Sequence, residues 1–168
     1  MRAAAQGALR LPLSEGAMTQ DRDEFWFLNS RVAVRCAASG GASASVTEHQ
    51  LARGDSPPLH LHEREDEIFH VLEGEVRLRI GETEATARAG DIVVAPRGAP
   101  HSYRVESDHA RVLVIATAGD FEAMMREVAR PAGAGLPPAV EPTPAMVEAL
   151  TAAAARHHIS IIGPPLAA

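Results

Sequence analysis

The stretch "GDSPPLHLHEREDEIFHVLEG", residues 54–74, constrains the fold more than any other part of the chain. His60 and His62 lie two residues apart. On a strand, positions i and i+2 share a face, so both imidazoles point the same way. Glu67 follows the charged run "EREDE", where a turn or bulge can bring the chain back to that face on the next strand. Further on, Gly90, Pro96 and Gly98 precede His101, and Pro96 and Gly98 make the tight turn that starts its strand. Three imidazoles and one carboxylate brought to one point form a site for a divalent transition metal. Each histidine must bind as the neutral form. A six-coordinate ion would keep two positions open for water, oxygen or substrate. The same four groups could also close a tetrahedral structural zinc site.

The surroundings have the pattern of a β protein. From Phe25 to about Thr117 the chain shows many short strands separated by turn signals. "EVRLRI" puts Val76, Leu78 and Ile80 on one face and Arg77 and Arg79 on the other, the period of two that a half-buried strand requires. "RVAVRCA" and "SASVTEH" also alternate, Gly81-Glu82 is an expected turn, and "GDIVVAP" and "ARVLVIATA" are expected buried strands. Strands at this spacing suggest a sandwich or barrel, and no internal repeat calls for a second one. After residue 119 the period changes. Phe121, Met124, Met125 and Val128 fall at i, i+3, i+4 and i+7, which predicts a helix with Asp120 as its cap. "PAGAGLPPAVEPTP" is a linker or wrapping loop. Thr143 and Pro144 then open a second helix running to about His157. "HISIIGPPL" adds a short strand or an extended tail.

A chain of 168 residues suits one domain. Its net charge of −6, with no basic cluster, argues against a nucleic-acid partner. No apolar run is long enough to cross a bilayer, and the first residues lack the apolar core of a secretory signal. Cys36 is the only cysteine, so no intrachain disulfide forms, and a reducing cytoplasm is the simplest location. The expected layout is a disordered segment 1–20, a β-barrel over 21–119, and a helical extension and tail over 120–168. "MTQDRDEFWF" makes Met18 a candidate start of folded material.

The two spaced patterns resemble the two signature motifs of the cupin superfamily, and the resemblance covers residues 43–117. It implies an all-β double-stranded β-helix, a jelly-roll barrel with the C-terminal helices packed on it, usually dimeric. It implies that His60, His62, Glu67 and His101 ligate one divalent metal: iron, nickel, manganese, cobalt or zinc. The second motif departs at Val105, where the family often has asparagine. "FWFLNSRVAV", "PPLHLHEREDEIFHVLEG", "MMREVA" and "HHISIIGPPL" are similar to the quercetin 2,3-dioxygenase-like group of single cupins. In its flavonol-cleaving members the ligand glutamate also acts as base, a role that would fall on Glu67. Burial in an apolar barrel is expected to raise its pKa toward the working pH. The implied activity is dioxygenation of a small, metal-chelating, hydroxylated aromatic substrate. The alternatives are a non-oxidative isomerase, cyclase or decarboxylase, and a non-catalytic small-molecule-binding module.

Outside the four ligands, Glu63, Glu65 and Asp66 are expected to form a solvated acidic turn. His70 sits at odd parity from Glu67 and faces away from the metal. His49, His109, His157 and His158 show no partner pattern and are expected at the surface. Tyr103 is two residues from His101 and Phe69 two from Glu67, so both are candidates for lining the cavity. Trp26 is expected to pack at one barrel end, and the Phe121, Met124, Met125 stripe to lie in the core.

Overall fold

The alternating segments pair into two antiparallel sheets in the computed structural model, which describes residues 23–38 and 43–168. The expected disordered segment 1–20 and the start at Met18 lie outside these residues. The strands are β1 (Glu24–Phe27), β2 (Ser30–Cys36), β3 (Ser45–Ala52), β4 (Pro58–His62), β5 (Glu67–Glu73), β6 (Glu75–Ile80), β7 (Thr83–Arg88), β8 (Ile92–Ala95), β9 (His101–Val105), β10 (His109–Ala116), β11 (Arg130–Pro131) and β12 (Ile159–Pro165). The helices are α1 (Asp120–Val128) and α2 (Pro144–Arg156). One sheet has the order β11-β1-β2-β3-β10-β5-β8, the other β12-β4-β9-β6-β7. This is the arrangement of a jelly roll with two helices added.

The inward faces of both sheets meet in one apolar cluster. β5 and β10 supply Phe69, Val71, Val112 and Val114, and the smaller sheet supplies Val76, Leu78 and Val105. Full burial of each such side chain contributes roughly 1.5–3 kcal/mol. Val105, where the sequence departs from the family pattern, is fully buried in this core. The motif glycines shape the turns. Gly74, with φ +86°, joins β5 to β6, and a Cβ there would lie 2.3 Å from the His109 carbonyl oxygen. Gly98, with φ +75°, donates its N–H to the His62 carbonyl at 2.7 Å. The turn ahead of His101 is thereby tied to the strand that carries the first two histidines.

Two local expectations are corrected. "GDIVVAP" is not a buried strand: β8 pairs only with β5 at the end of its sheet, leaving Ile92 62% and Val94 49% exposed. A continuous apolar run does not distinguish a central strand from an edge. Asp120 does not cap α1. Gly119 is the N-cap and has no side chain to cap with, and the Asp120 carboxylate bonds Arg64 (Nε–Oδ2 3.1 Å). The helical stripe is otherwise as read, with Phe121, Met124 and Met125 buried. α2 begins at Pro144, and Thr143 Oγ1 accepts the Met146 N–H at 3.3 Å. Trp26 packs as expected, its Nε1–H donating to the Gly135 carbonyl at 3.1 Å. No helix among the described residues is long and apolar enough to cross a membrane.

The tail after α2 is a strand of the smaller sheet. β12 pairs with β4, setting Ile159 opposite His62 and Ile161 opposite His60. β4 therefore lies between β12 and β9 and does not form a sheet edge.

Candidate metal centre

Adjacent strands carry the histidines. β4 supplies His60 and His62, and His101 on β9 pairs directly with His60, their ring centroids 4.4 Å apart. Glu67 is the first residue of β5 and reaches the cluster from the other sheet. One donor atom from each of the four residues falls within 4.8 Å of the others.

The hydrogen bonds fix how the rings are presented. His60 Nδ1 lies 2.8 Å from the Pro58 carbonyl and His101 Nδ1 2.9 Å from the Ala99 carbonyl. A carbonyl oxygen only accepts, so each Nδ1 carries the proton and the neutral ring keeps a lone pair on Nε2. His62 Nδ1 lies 2.8 Å from Glu65 Oε1, with the same consequence. His101 Nε2 is 2.8 Å and His62 Nε2 3.5 Å from Glu67 Oε2. His62 Nε2 is buried and has no hydrogen-bond partner. Lone pairs and a carboxylate crowded together repel unless a cation lies among them. The residues therefore fit a divalent metal, with the second ring nitrogen of each histidine held as such sites require.

The electrostatics point the same way. Burial penalises the ionised form of Glu67, but the neighbouring His62, His101 and His60 outweigh it and hold the carboxyl at about 2. The expectation that burial raises it is thus corrected. Desolvation, with His101 beside it, lowers His60 to about 3. Burial opposes charge on His62, yet Glu67 and Glu65 together raise its pKa.

Glu65 is also corrected. It is 1% exposed, and its Oε1 accepts from His62 Nδ1 and from the Phe121 backbone N–H, both at 2.8 Å. Its neighbours do form the outward turn: Glu63 accepts from Ser160 Oγ and Asp66 from the Arg97 N–H. The signal available was a carboxylate three residues beyond a ligand histidine.

Beside the cluster lies a largely apolar cavity of about 680 Å³, counting its open mouth. His60 and Glu67 reach its wall, and Phe69 and Tyr103 line it. α1, α2 and β12 close one side with Phe121, Met124, Leu150, Ala154, Ile159 and Ile161. His49 is not at the surface. It is 4% exposed, lines this cavity, stacks on Phe121 and meets Thr47 Oγ1 at 2.9 Å. Desolvation lowers it to about 4, although Glu67 pulls the other way. His109 and His157 lie outside, against Glu73 and Glu127, and His158 lies against Arg64. Asp55 escaped sequence reasoning altogether, because it sits between Gly54 and β4 with no strand parity to place it. It lines the cavity, and burial raises it to about 6 while the Tyr103 hydroxyl and the Ser56 backbone pull it down.

The chain is 28% identical to quercetin 2,3-dioxygenase of Bacillus subtilis (strain 168) over 108 residues, 62% of this chain and 32% of that one. It thus spans about a third of the length of this curated relative. Among solved structures it is similar to KdgF from Halomonas sp., at 20% identity over 56% of this chain and 84% of that one, with a TM-score of 0.49. It is likewise similar to a cupin 2 conserved barrel domain protein from Rhodopseudomonas palustris, at 18% identity over 60% and 67% of the two chains, with a TM-score of 0.49. The family model described as the cupin domain matches residues 47–116, the span that holds all four candidate ligands.

Proposed function

We propose that the protein is a metal-dependent dioxygenase of the quercetinase-like kind, acting on a small hydroxylated aromatic compound that chelates the metal. One observation carries the reading: three imidazoles with unprotonated Nε2 atoms and one carboxylate converge at the wall of an apolar cavity. Enclosed apolar sites with a few convergent polar groups are the usual form of small-molecule sites. The partial identity to a quercetin 2,3-dioxygenase supports the choice of chemistry.

His60, His62, Glu67 and His101 would hold the metal, and iron, nickel, manganese, cobalt and zinc all suit this donor set. Bound there, the metal supplies Lewis acidity and a template for adjacent substrate oxygens. Phe69, Phe121, Ile159 and Ile161 give a flat apolar body a dry place to lie. Glu67 is held ionised, so one of its oxygens is ready to take the proton of a substrate hydroxyl. A low pKa makes it a weak base, and proximity rather than basicity would drive the transfer.

Oxygen uptake with flavonol and catechol-type compounds tests the reading, together with elemental analysis of protein prepared without a polyhistidine tag. The expected result is substrate-dependent oxygen consumption by protein carrying near-stoichiometric metal. Turnover that proceeds equally well without oxygen would overturn the oxygenase assignment. Glu67→Gln tests the base. With metal retained, turnover should fall by about 100-fold or more, within the usual range for such a group, and unchanged turnover would remove Glu67 from that role.

A further inference from the structure

The apolar cavity has a second polar region that the metal site does not use. Asp55 lines it from the segment leading into β4, and Tyr103 lines it from β9. The Tyr103 hydroxyl and the Asp55 carboxylate share this wall and act on each other, and Glu67 also acts on the tyrosine from its side of the cavity. A carboxylate only accepts, so wherever the two meet it is the tyrosine that gives its single proton to Asp55. What remains of the pair is acceptor capacity: the tyrosine lone pairs and the rest of the carboxylate. Ser30, also on the wall, already gives its proton to the Phe27 carbonyl at 2.7 Å and likewise keeps only acceptor capacity.

Among the described residues, no cation compensates Asp55. The chain has no lysine, and no arginine lines the cavity. Arg104, on the same strand as Tyr103, turns to the Gly54 carbonyl at 3.3 Å and towards Glu106 at 4.0 Å. A phosphate or carboxylate group placed beside Asp55 would meet another negative charge in a poorly solvated wall. An ether oxygen there would set acceptor against acceptor. A hydroxyl or amine would instead satisfy the carboxylate.

We infer that the Asp55–Tyr103 pair is a second recognition pole, which selects neutral substrates bearing a hydrogen-bond donor away from the metal-chelating end and rejects anionic ones. The inference rests on the proposed chelating-substrate reading, because the metal cluster fixes the other end of the ligand. A buried polar group left unpaired is costly, which is why a site built to bond a hydroxyl discriminates sharply against its absence.

The test is isothermal titration of the metal-loaded protein at pH 8 with four 3-hydroxyflavones. One is unsubstituted, and the others carry a hydroxyl, a methoxy or a carboxylate on the ring remote from the chelating oxygens. The hydroxyl compound should bind at least tenfold more tightly than the methoxy and carboxylate compounds. In Asp55→Asn, whose side chain also offers a donor, the hydroxyl-over-methoxy ratio should fall below about threefold, and Tyr103→Phe should lower it in the same direction. Equal affinities across the series in the unaltered protein would overturn the inference while leaving the chelation reading standing, as would a ratio that persists in Asp55→Asn. Failure of the whole series to bind, the unsubstituted compound included, would overturn the chelation reading and this inference with it.

Discussion

At the scale of single residues, Glu65 shows how a metal site is oriented from outside. Its Oε1 is shared between the ring proton of His62 and the first-turn N–H of Phe121. The α1 N-terminus favours a carboxylate at that point, and the carboxylate in turn fixes the tautomer of His62. Glu65→Gln keeps the shape but can present a donor to His62 Nδ1. Metal affinity is expected to fall by roughly 10–100-fold, the range for lost partners of ligand histidines. Competition with a chromophoric chelator measures it, and an unchanged affinity would mean that His62 needs no such support. Gly74 makes the complementary point for backbone. Its φ of +86° and the carbonyl oxygen 2.3 Å from a would-be Cβ leave no room for alanine. Gly74→Ala should therefore destabilise the fold by about 2 kcal/mol or more, from φ strain and the shift of β10 together. Urea unfolding checks this, and a change below 0.5 kcal/mol would show that the turn relaxes freely.

At the scale of elements, the tail matters more than its position suggests. β12 pairs along β4, and Ile159, 2% exposed, lies opposite His62. Removing residues 159–168 would make β4 a sheet edge and open the cavity wall formed by Ile159 and Ile161. The truncated protein is expected to melt at least about 8 °C lower and to lose metal on dialysis. Retention of both melting temperature and metal would show β12 to be a passive appendage. The period-two strands, the two helices and the four clustered ligands were legible because each depends on local spacing. His60 and His62 share a face by strand geometry alone. Asp55, Glu65 and His49 were not legible in this way. Asp55 and Glu65 sit in irregular segments, where no period assigns a face. His49 does lie on a strand, but its value depends on Phe121 and Thr47 around it, and the distant Phe121 partner is a matter of tertiary packing. The exposed β8 was misread for a related reason, since its place at a sheet edge is set by topology and not by composition.

For the whole molecule, burying neutral imidazoles makes folding sensitive to acid. His49 and His60 are lowered by desolvation to about 4 and about 3, against 6.5 when unfolded. Between pH 6.5 and 4 the unfolded chain therefore holds protons at these two positions that the folded chain does not, and their contribution to stability falls as the pH falls. Each histidine contributes a slope of up to about 1.4 kcal/mol per pH unit across that window. His62, whose pKa is raised, acts in the other direction but above this range: its contribution is complete below pH 6.5 and is lost only as the pH climbs through its folded value. Glu67, lowered to about 2, adds its loss only below about pH 4.5. Asp55, raised to about 6, opposes the two lowered histidines below that value, because the folded chain then holds a proton on it that the unfolded chain does not. His49 is outside the metal cluster, so it can be replaced without removing a ligand. In metal-free protein, urea unfolding from pH 7 to 4.5 should show His49→Gln with a smaller acid slope than the unaltered chain. An identical slope in the two proteins would place the acid sensitivity elsewhere in the fold. Metal binding requires neutral histidines, so added metal should raise stability most at the upper end of this range and progressively less as the pH falls.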